Sequence, residues 1–314
     1  MYELFKKNLT LLFLSLKLVI VFVVCYFIYQ KLDLYLFENN VPLATNISKL
    51  SLIFFISLML LLSTLNWILE IFKWKLLVSG LQSITFFESL IQSLVAHTVS
   101  LITPLKSGEF VVKTMFYKRN FVKKIIDLNF IGNFNQLMMT LLFGIIGFYF
   151  YQHIIIEPLN WSALIDHKYI VLLIIFLVLI FLMIFIIKMN WIKFHTISFK
   201  IYFQISGISL LRYFIFSHQY LLLIFIFYPN LSYLQTIAAI FCMYLLASII
   251  PTLALFDWAI KGTIGVFLFS VLGVKVEIIL LVSLIMWIFN FALPAILGSY
   301  FLITFTGNKL LVND

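Results

Sequence analysis

The sequence predicts an all-α, polytopic integral membrane protein, with about six full spans and two oppositely directed re-entrant helical hairpins forming an inverted repeat. Three observations lead there. The 314 residues are 64% hydrophobic and 11% charged, with a mean hydropathy of +1.15, whereas soluble domains carry about 25% charged residues. A soluble chain so apolar could not cover its own surface, so a bilayer must cover it. Six stretches reach the roughly 20 apolar residues needed to cross about 30 Å of hydrocarbon. Two more are interrupted midway by proline, polar groups and an acid–lysine pair.

The spans are expected near 9–30, 48–70, 126–150, 168–188, 208–228 and 277–303. The first follows Lys6 and Lys7, as a signal peptide would, but its apolar run is too long and no small-residue cleavage site follows. An uncleaved anchor is expected. Lys73 and Lys75 follow the second span, Lys118, Arg119, Lys123 and Lys124 precede the third, and Lys193 and Lys200 separate the fourth and fifth. The segment 151–167 carries Glu157 and Asp166 without Lys or Arg, and 31–47 sets Lys31 against Asp33 and Glu38. The positive-inside rule then puts both termini in the cytoplasm. It closes only if 84–118 enters and leaves from the cytoplasmic side and 236–274 from the outer side. No hydrophilic stretch is long enough for a separate domain, so 1–314 is expected to be one membrane domain.

The two interrupted segments share a pattern. The first holds Thr103-Pro104-Leu105-Lys106-Ser107-Gly108-Glu109 and then Lys113; the second holds Pro251-Thr252, Asp257 and Lys261-Gly262. Each has a proline, an acid five or six residues later, and a lysine four residues after the acid. Proline withholds a backbone donor and stops the incoming helix. An acid four residues before a lysine shares its helical face, and in the first turn it complements the positive helix end. Paired breaks in two halves point to inverted-repeat transporters, whose binding site lies where the breaks meet. Pro104, Gly108, Pro251 and Gly262 are the expected breaks, and Pro294, with Asn290, is expected to kink the last span.

Other polar groups lie within apolar sequence. Lys73 and Lys75 are expected to snorkel beside Trp67 and Trp74 as interfacial aromatics. Glu70 fits that account less well, and with Lys73 or Trp74 it could brace the mouth of a cavity. Asn133, Asn135 and Gln136 are expected to hold helices together by hydrogen bonds. Arg212 is one of two arginines. A guanidinium in hydrocarbon is costly, so it is expected either to snorkel from the start of its span or to hold a lipid phosphate.

Soluble chemistry has no footing. There is no Walker A pattern and no HExxH, the five histidines are scattered, and Cys25 and Cys242 both lie in apolar runs. Neither a metal site nor a disulfide framework is indicated. No cofactor and no nucleic-acid partner are expected.

The run from Asn66-Trp67 through Glu70 to Trp74, the Thr103-Pro104-Leu105-Lys106-Ser107-Gly108-Glu109 element, and Pro251-Thr252 to Asp257 and Lys261-Gly262 resemble the lysylphosphatidylglycerol synthase transmembrane-region family, a flippase-like domain. The resemblance covers roughly 10–305 and lacks the family's aminoacyl-transferase domain; Lys113 stands where the family usually has arginine. It implies a bacterial inner-membrane protein that translocates a phospholipid or an isoprenoid or glycolipid phosphate between leaflets. Lys106, Glu109, Lys113, Asp257, Lys261, Arg212 and Glu70 are the expected substrate-binding residues. Two alternatives stay open: a membrane subunit that docks a separate glycosyltransferase or synthase, and a membrane-embedded transferase using Glu109 or Asp257 as general base.

Overall fold

With no water to satisfy backbone groups, an apolar chain resolves into helices, and there is no strand among the described residues. The computed structural model describes residues 49–152, 198–250 and 253–304. The spans expected near 9–30 and 168–188, and the break expected at Pro251, lie outside the described residues.

Helix α1 is Lys49–Val78. Helix α2, Phe86–Leu101, starts on a capping box in which the Thr85 side chain accepts from the Glu88 backbone N–H while Glu88 reaches back to Thr85. A short 3-10 turn, Pro104–Lys106, leads into α3, Ser107–Thr114. Helix α4 is Val122–Tyr151, and α5, Phe199–Phe227, starts at Ser198, whose side chain accepts from the Ile201 N–H. Helix α6, Tyr233–Ile249, precedes a second 3-10 turn, Ala254–Phe256, and α7, Asp257–Ser270. Helix α8, Val276–Trp287, continues through a π-helical turn, Ile288–Ala292, into α9, Leu293–Thr304.

Four stretches are long and apolar enough to cross a membrane: Ile53–Val78, Arg119–Tyr151, Phe199–Phe227 and Val276–Thr304. Two boundaries differ from the sequence expectation. Helix α1 runs to Val78 instead of ending near 70, which carries Lys73 into the helix body, and α5 starts at Phe199 instead of 208.

The two halves pack by matching relations. The first arm, α2–turn–α3, lays α2 on α9 and α3 on α4; the second, α6–turn–α7, lays α6 on α4 and α7 on α8. Helices α1 and α5 pack on each other, and the two 3-10 turns touch. Matching glycines permit the closest of these approaches. A β-carbon on Gly147 of α4 would collide with Phe241 of α6, and one on Gly298 of α9 with the Leu94 carbonyl and Thr98 of α2.

Helix α4 serves as a ruler. Near its start, Asn129 accepts a hydrogen bond from Lys113 at the end of the first arm (2.7 Å); at its end, the Tyr151 hydroxyl donates to the Leu268 carbonyl near the end of the second (2.8 Å). At 1.5 Å per residue those points are roughly 33 Å apart. The arm tips meet between them. Leu101, Ala254 and Leu255 share an apolar cluster with Leu284 and Trp287, whose indole donates to the Ala254 carbonyl (3.0 Å).

Overpacking a tight helix contact costs about 1–3 kcal/mol. Gly298→Val should therefore lower the thermal unfolding midpoint of detergent-purified protein. Gly207→Ala, whose added β-carbon meets nothing within 4 Å among the described residues, should hold or raise it, because alanine favours helix by about 1 kcal/mol over glycine.

Candidate functional site

Where the arm tips meet, a cavity of about 330 Å³ opens, lined by residues of both arms and of α1, α4, α5 and α8 with its π-turn. All seven side chains expected to bind substrate line it: Glu70, Lys106, Glu109, Lys113, Arg212, Asp257 and Lys261.

The first arm turns sharply to deliver its charges. Pro104 starts the 3-10 turn, and Leu105 and Lys106 then take left-handed backbone conformations (φ 52° and 55°), which cost about 1–2 kcal/mol per non-glycine residue. Thr103 anchors this turn, its hydroxyl accepting from the Gly108 N–H (2.9 Å). A β-carbon at 108 would sit 2.7 Å from that hydroxyl and 3.0 Å from the Val99 carbonyl oxygen. Gly108 therefore lies in the first turn of α3, needed for close approach, and is not itself the break. Gly262 is likewise inside α7, facing Leu280 of α8, where a β-carbon would come within 2.8 Å.

Both acid–lysine pairs form as spaced. Lys113 Nζ donates to Glu109 Oε1 (2.7 Å) and Lys261 Nζ to Asp257 Oδ2 (2.6 Å). Lys113, 2% exposed, also lies over the Trp74 ring, 4.2 Å from its centroid. Lys261 sits over Tyr244 (5.0 Å) and Phe291 (5.4 Å), and Lys106 reaches the same Phe291 ring at 5.3 Å. One phenyl ring thus holds a lysine from each arm.

Arg212 is in the interior, well along α5 from its start at Phe199, so it does not snorkel. Its partner is Glu70: Glu70 Oε2 accepts from the guanidinium and lies 2.7 Å from Lys73 Nζ. Lys73, 1% exposed, is not an interfacial lysine. Trp74 is fully buried, donating to Gln92 (2.7 Å), and Trp67 lines the cavity, so neither forms an interfacial belt. From Arg212 a relay runs inward: Nε to Asn66 Oδ1 (3.0 Å), Asn66 Nδ2 to Asn290 Oδ1 (3.2 Å), Asn290 Nδ2 to Gln219 Oε1 (3.0 Å). Asn135 and Gln136 join α4 to α5 through Ser206 and the Ser209 carbonyl, as expected of helix-joining amides, while Asn133 turns to Glu109 (3.5 Å).

The last span bends at its π-helical turn instead of at the proline itself, which lies inside α9. Pro294 has no N–H to give to a carbonyl one turn back. Side chains from α1 and α2 donate to three carbonyls of the turn: Ser63 to Phe289 (2.5 Å), Trp67 to Asn290 (3.1 Å) and His97 to Phe291 (3.0 Å). Of these, only Trp67 was singled out from sequence, and for another reason. Lys73 was visible as a lysine three residues after Glu70, but its inward face depends on α1 continuing to Val78. Among the described residues no group of three or more His, Cys, Asp or Glu could hold a metal.

Losing a buried donor strands its acceptor at a cost of about 1–3 kcal/mol. Trp67→Phe should destabilise the protein by that amount. Combining it with Pro294→Ala, which restores a backbone donor, should recover part of the loss, readable as non-additivity in a double-mutant cycle of unfolding free energies.

No family model, no curated protein and no solved structure matches this chain.

Proposed function

We propose that this protein carries a phosphate-bearing amphiphile, a phospholipid or an isoprenoid or glycolipid phosphate, between the leaflets of a bacterial inner membrane. The observation that carries this reading is the single cavity in which both interrupted arms present their acid–lysine pairs. In this reading the arms are re-entrant hairpins, the first inserted from the cytoplasmic face and the second from the outer face, within a six-span protein whose termini are cytoplasmic. Supporting the opposite insertion, the arm ends contact α4 at points roughly 33 Å apart, close to the thickness of the hydrocarbon core. The sequence resemblance to the flippase-like lysylphosphatidylglycerol synthase region agrees with this direction.

The mechanism follows from the charges. A headgroup entering from one leaflet meets lysines held in place by Glu109 and Asp257. Lysine, a hydrated point charge on a flexible stem, suits a ligand that must also leave. The acyl or prenyl tail stays in the bilayer while the headgroup passes along the polar wall. Each cavity carboxylate is already engaged by a cation, so none is poised to take a proton from a substrate, which weakens the transferase alternative. The docking-subunit alternative keeps one supporting observation, the exposed basic residues Lys118, Arg119, Lys123 and Lys124.

Proteoliposomes with headgroup-labelled phosphatidylglycerol on both leaflets test the reading. Purified protein should expose the inner-leaflet label to a membrane-impermeant quencher. Glu109→Gln or Lys261→Ala should slow that exposure at least about tenfold, equivalent to 1.4 kcal/mol or more in the barrier. Rates equal to wild type in both variants contradict translocation through this cavity, and movement seen only with an added soluble enzyme favours the docking subunit.

A further inference from the structure

The two arms do not contribute equally. The second arm brings one balanced pair, Asp257 with Lys261. Around the first arm stand four cations, Lys73, Lys106, Lys113 and Arg212, against two carboxylates, Glu70 and Glu109. Glu70 divides a single oxygen, Oε2, between Lys73 and Arg212. Glu109 lies within the electrostatic reach of Lys113, Lys106 and Lys73. Lys106 has no carboxylate partner among the described residues, only the Phe291 ring. A surplus of two positive charges is therefore gathered here, one in the interior, where uncompensated charge is costly, and one on the exposed Lys106 at the cavity edge.

Hydrogen-bonding groups beside this surplus are also unused. Among the described residues the Ser93 hydroxyl, on a residue 4% exposed that lines the cavity, has no hydrogen-bond partner. Neither has the side-chain N–H₂ of Asn129, 2% exposed, whose oxygen accepts from Lys113. Ser93 follows Gln92, which holds the indole of Trp74 on which Lys113 rests. Buried polar groups ordinarily find partners. Here an idle hydroxyl lines the same cavity as Lys106 and Lys113, and an idle amide adjoins Lys113.

We propose that the first-arm end of the cavity, built from Lys106, Lys113 and Ser93 with the charge of Lys73 behind them, is a seat for a phosphate monoester, whose two negative charges match the surplus. This rests on the translocator reading and deepens it. Phosphatidic acid and prenyl phosphates carry such a group near neutral pH, whereas a phosphodiester headgroup such as phosphatidylglycerol carries one charge and leaves the seat half neutralised. Ser93 donates to a phosphate oxygen, Lys113 forms the fixed floor with Lys73 behind it, and Lys106 meets the group at the more open side. Arg212 stays tied to Glu70 and Asn66, keeping the surplus in place without touching the phosphate.

The test uses the full chain in detergent, with binding read from tryptophan fluorescence, since Trp74 and Trp67 border the site. The probes are dihexanoyl phosphatidic acid, dihexanoyl phosphatidylglycerol and inorganic phosphate. Phosphatidic acid should bind at least about tenfold more tightly than phosphatidylglycerol, and inorganic phosphate should compete only at concentrations at least about a hundredfold higher. Ser93→Ala should weaken phosphatidic acid about five- to tenfold with little change for phosphatidylglycerol, and Lys73→Met or Lys106→Gln should bring the two lipids close to equal affinity. Ser93→Ala removes only an unbonded hydroxyl, so it carries the test if Lys73→Met does not fold. Equal affinity for the two lipids in the wild-type protein, or an undiminished preference in Ser93→Ala and Lys106→Gln, overturns the monoester seat. Inorganic phosphate competing as well as phosphatidic acid overturns its assignment to a lipid. Phosphatidylglycerol translocation without monoester preference removes this inference alone; no binding of either lipid together with no translocation removes the translocator reading as well.

Discussion

The governing constraint is that charge inside an apolar protein must be answered by opposite charge or by a ligand. Of the seven cavity charges, six, with Lys73 behind them, are tied into short contacts; among the described residues Lys106 alone of the seven meets only an aromatic ring. These contacts determine much of the surrounding structure. Glu70 draws α1 and α5 together through Arg212, and Lys113 fixes the first arm to α4 through Asn129. The Arg212–Asn66–Asn290–Gln219 relay extends the same logic into the bend of the last span.

Backbone breaks make such a cavity possible. A continuous helix keeps its peptide groups to itself and presents side chains only around its cylinder. The turns at Pro104–Lys106 and Ala254–Phe256 reverse the chain at cavity depth, so α3 and α7 each begin there with an acid in their first turn. The π-helical turn in the last span opens a third irregular wall, and Ser63, Trp67 and His97 cover its carbonyls. The strain at Leu105 and Lys106 is localised where the side chain of Lys106 must reach inward, a common place for it.

Much of this was legible in the sequence because the relevant rules are local. Helix length and apolarity are read from runs of residues, and an acid followed four positions later by a lysine forms the same pair wherever that helix lies; Glu109–Lys113 and Asp257–Lys261 do so. The cavity membership of all seven candidate residues followed from treating buried charge as meaningful. What escaped depends on tertiary neighbours. Arg212 and Glu70 are far apart in sequence, and the partner of neither is visible locally. Lys73 and Trp74 resemble an interfacial lysine and tryptophan until α1 is seen to continue to Val78, which turns both inward. Gly262 resembled a breaker beside an acid–lysine pair, but its requirement is the approach of Leu280 from α8. Pro294 drew attention as a kink, whereas the bend is the π-helical turn before it, held by donors from two other helices.

The central claim is that the two arms enter from opposite faces of the membrane and meet inside it. Lys118, just after the first arm, and Lys275, just after the second, are both exposed and report on those faces directly. With Cys25 and Cys242 replaced, single cysteines at 118 and 275 should react with a membrane-impermeant maleimide from opposite sides of sealed, uniformly oriented vesicles. Labelling of both positions from the same side would contradict the account.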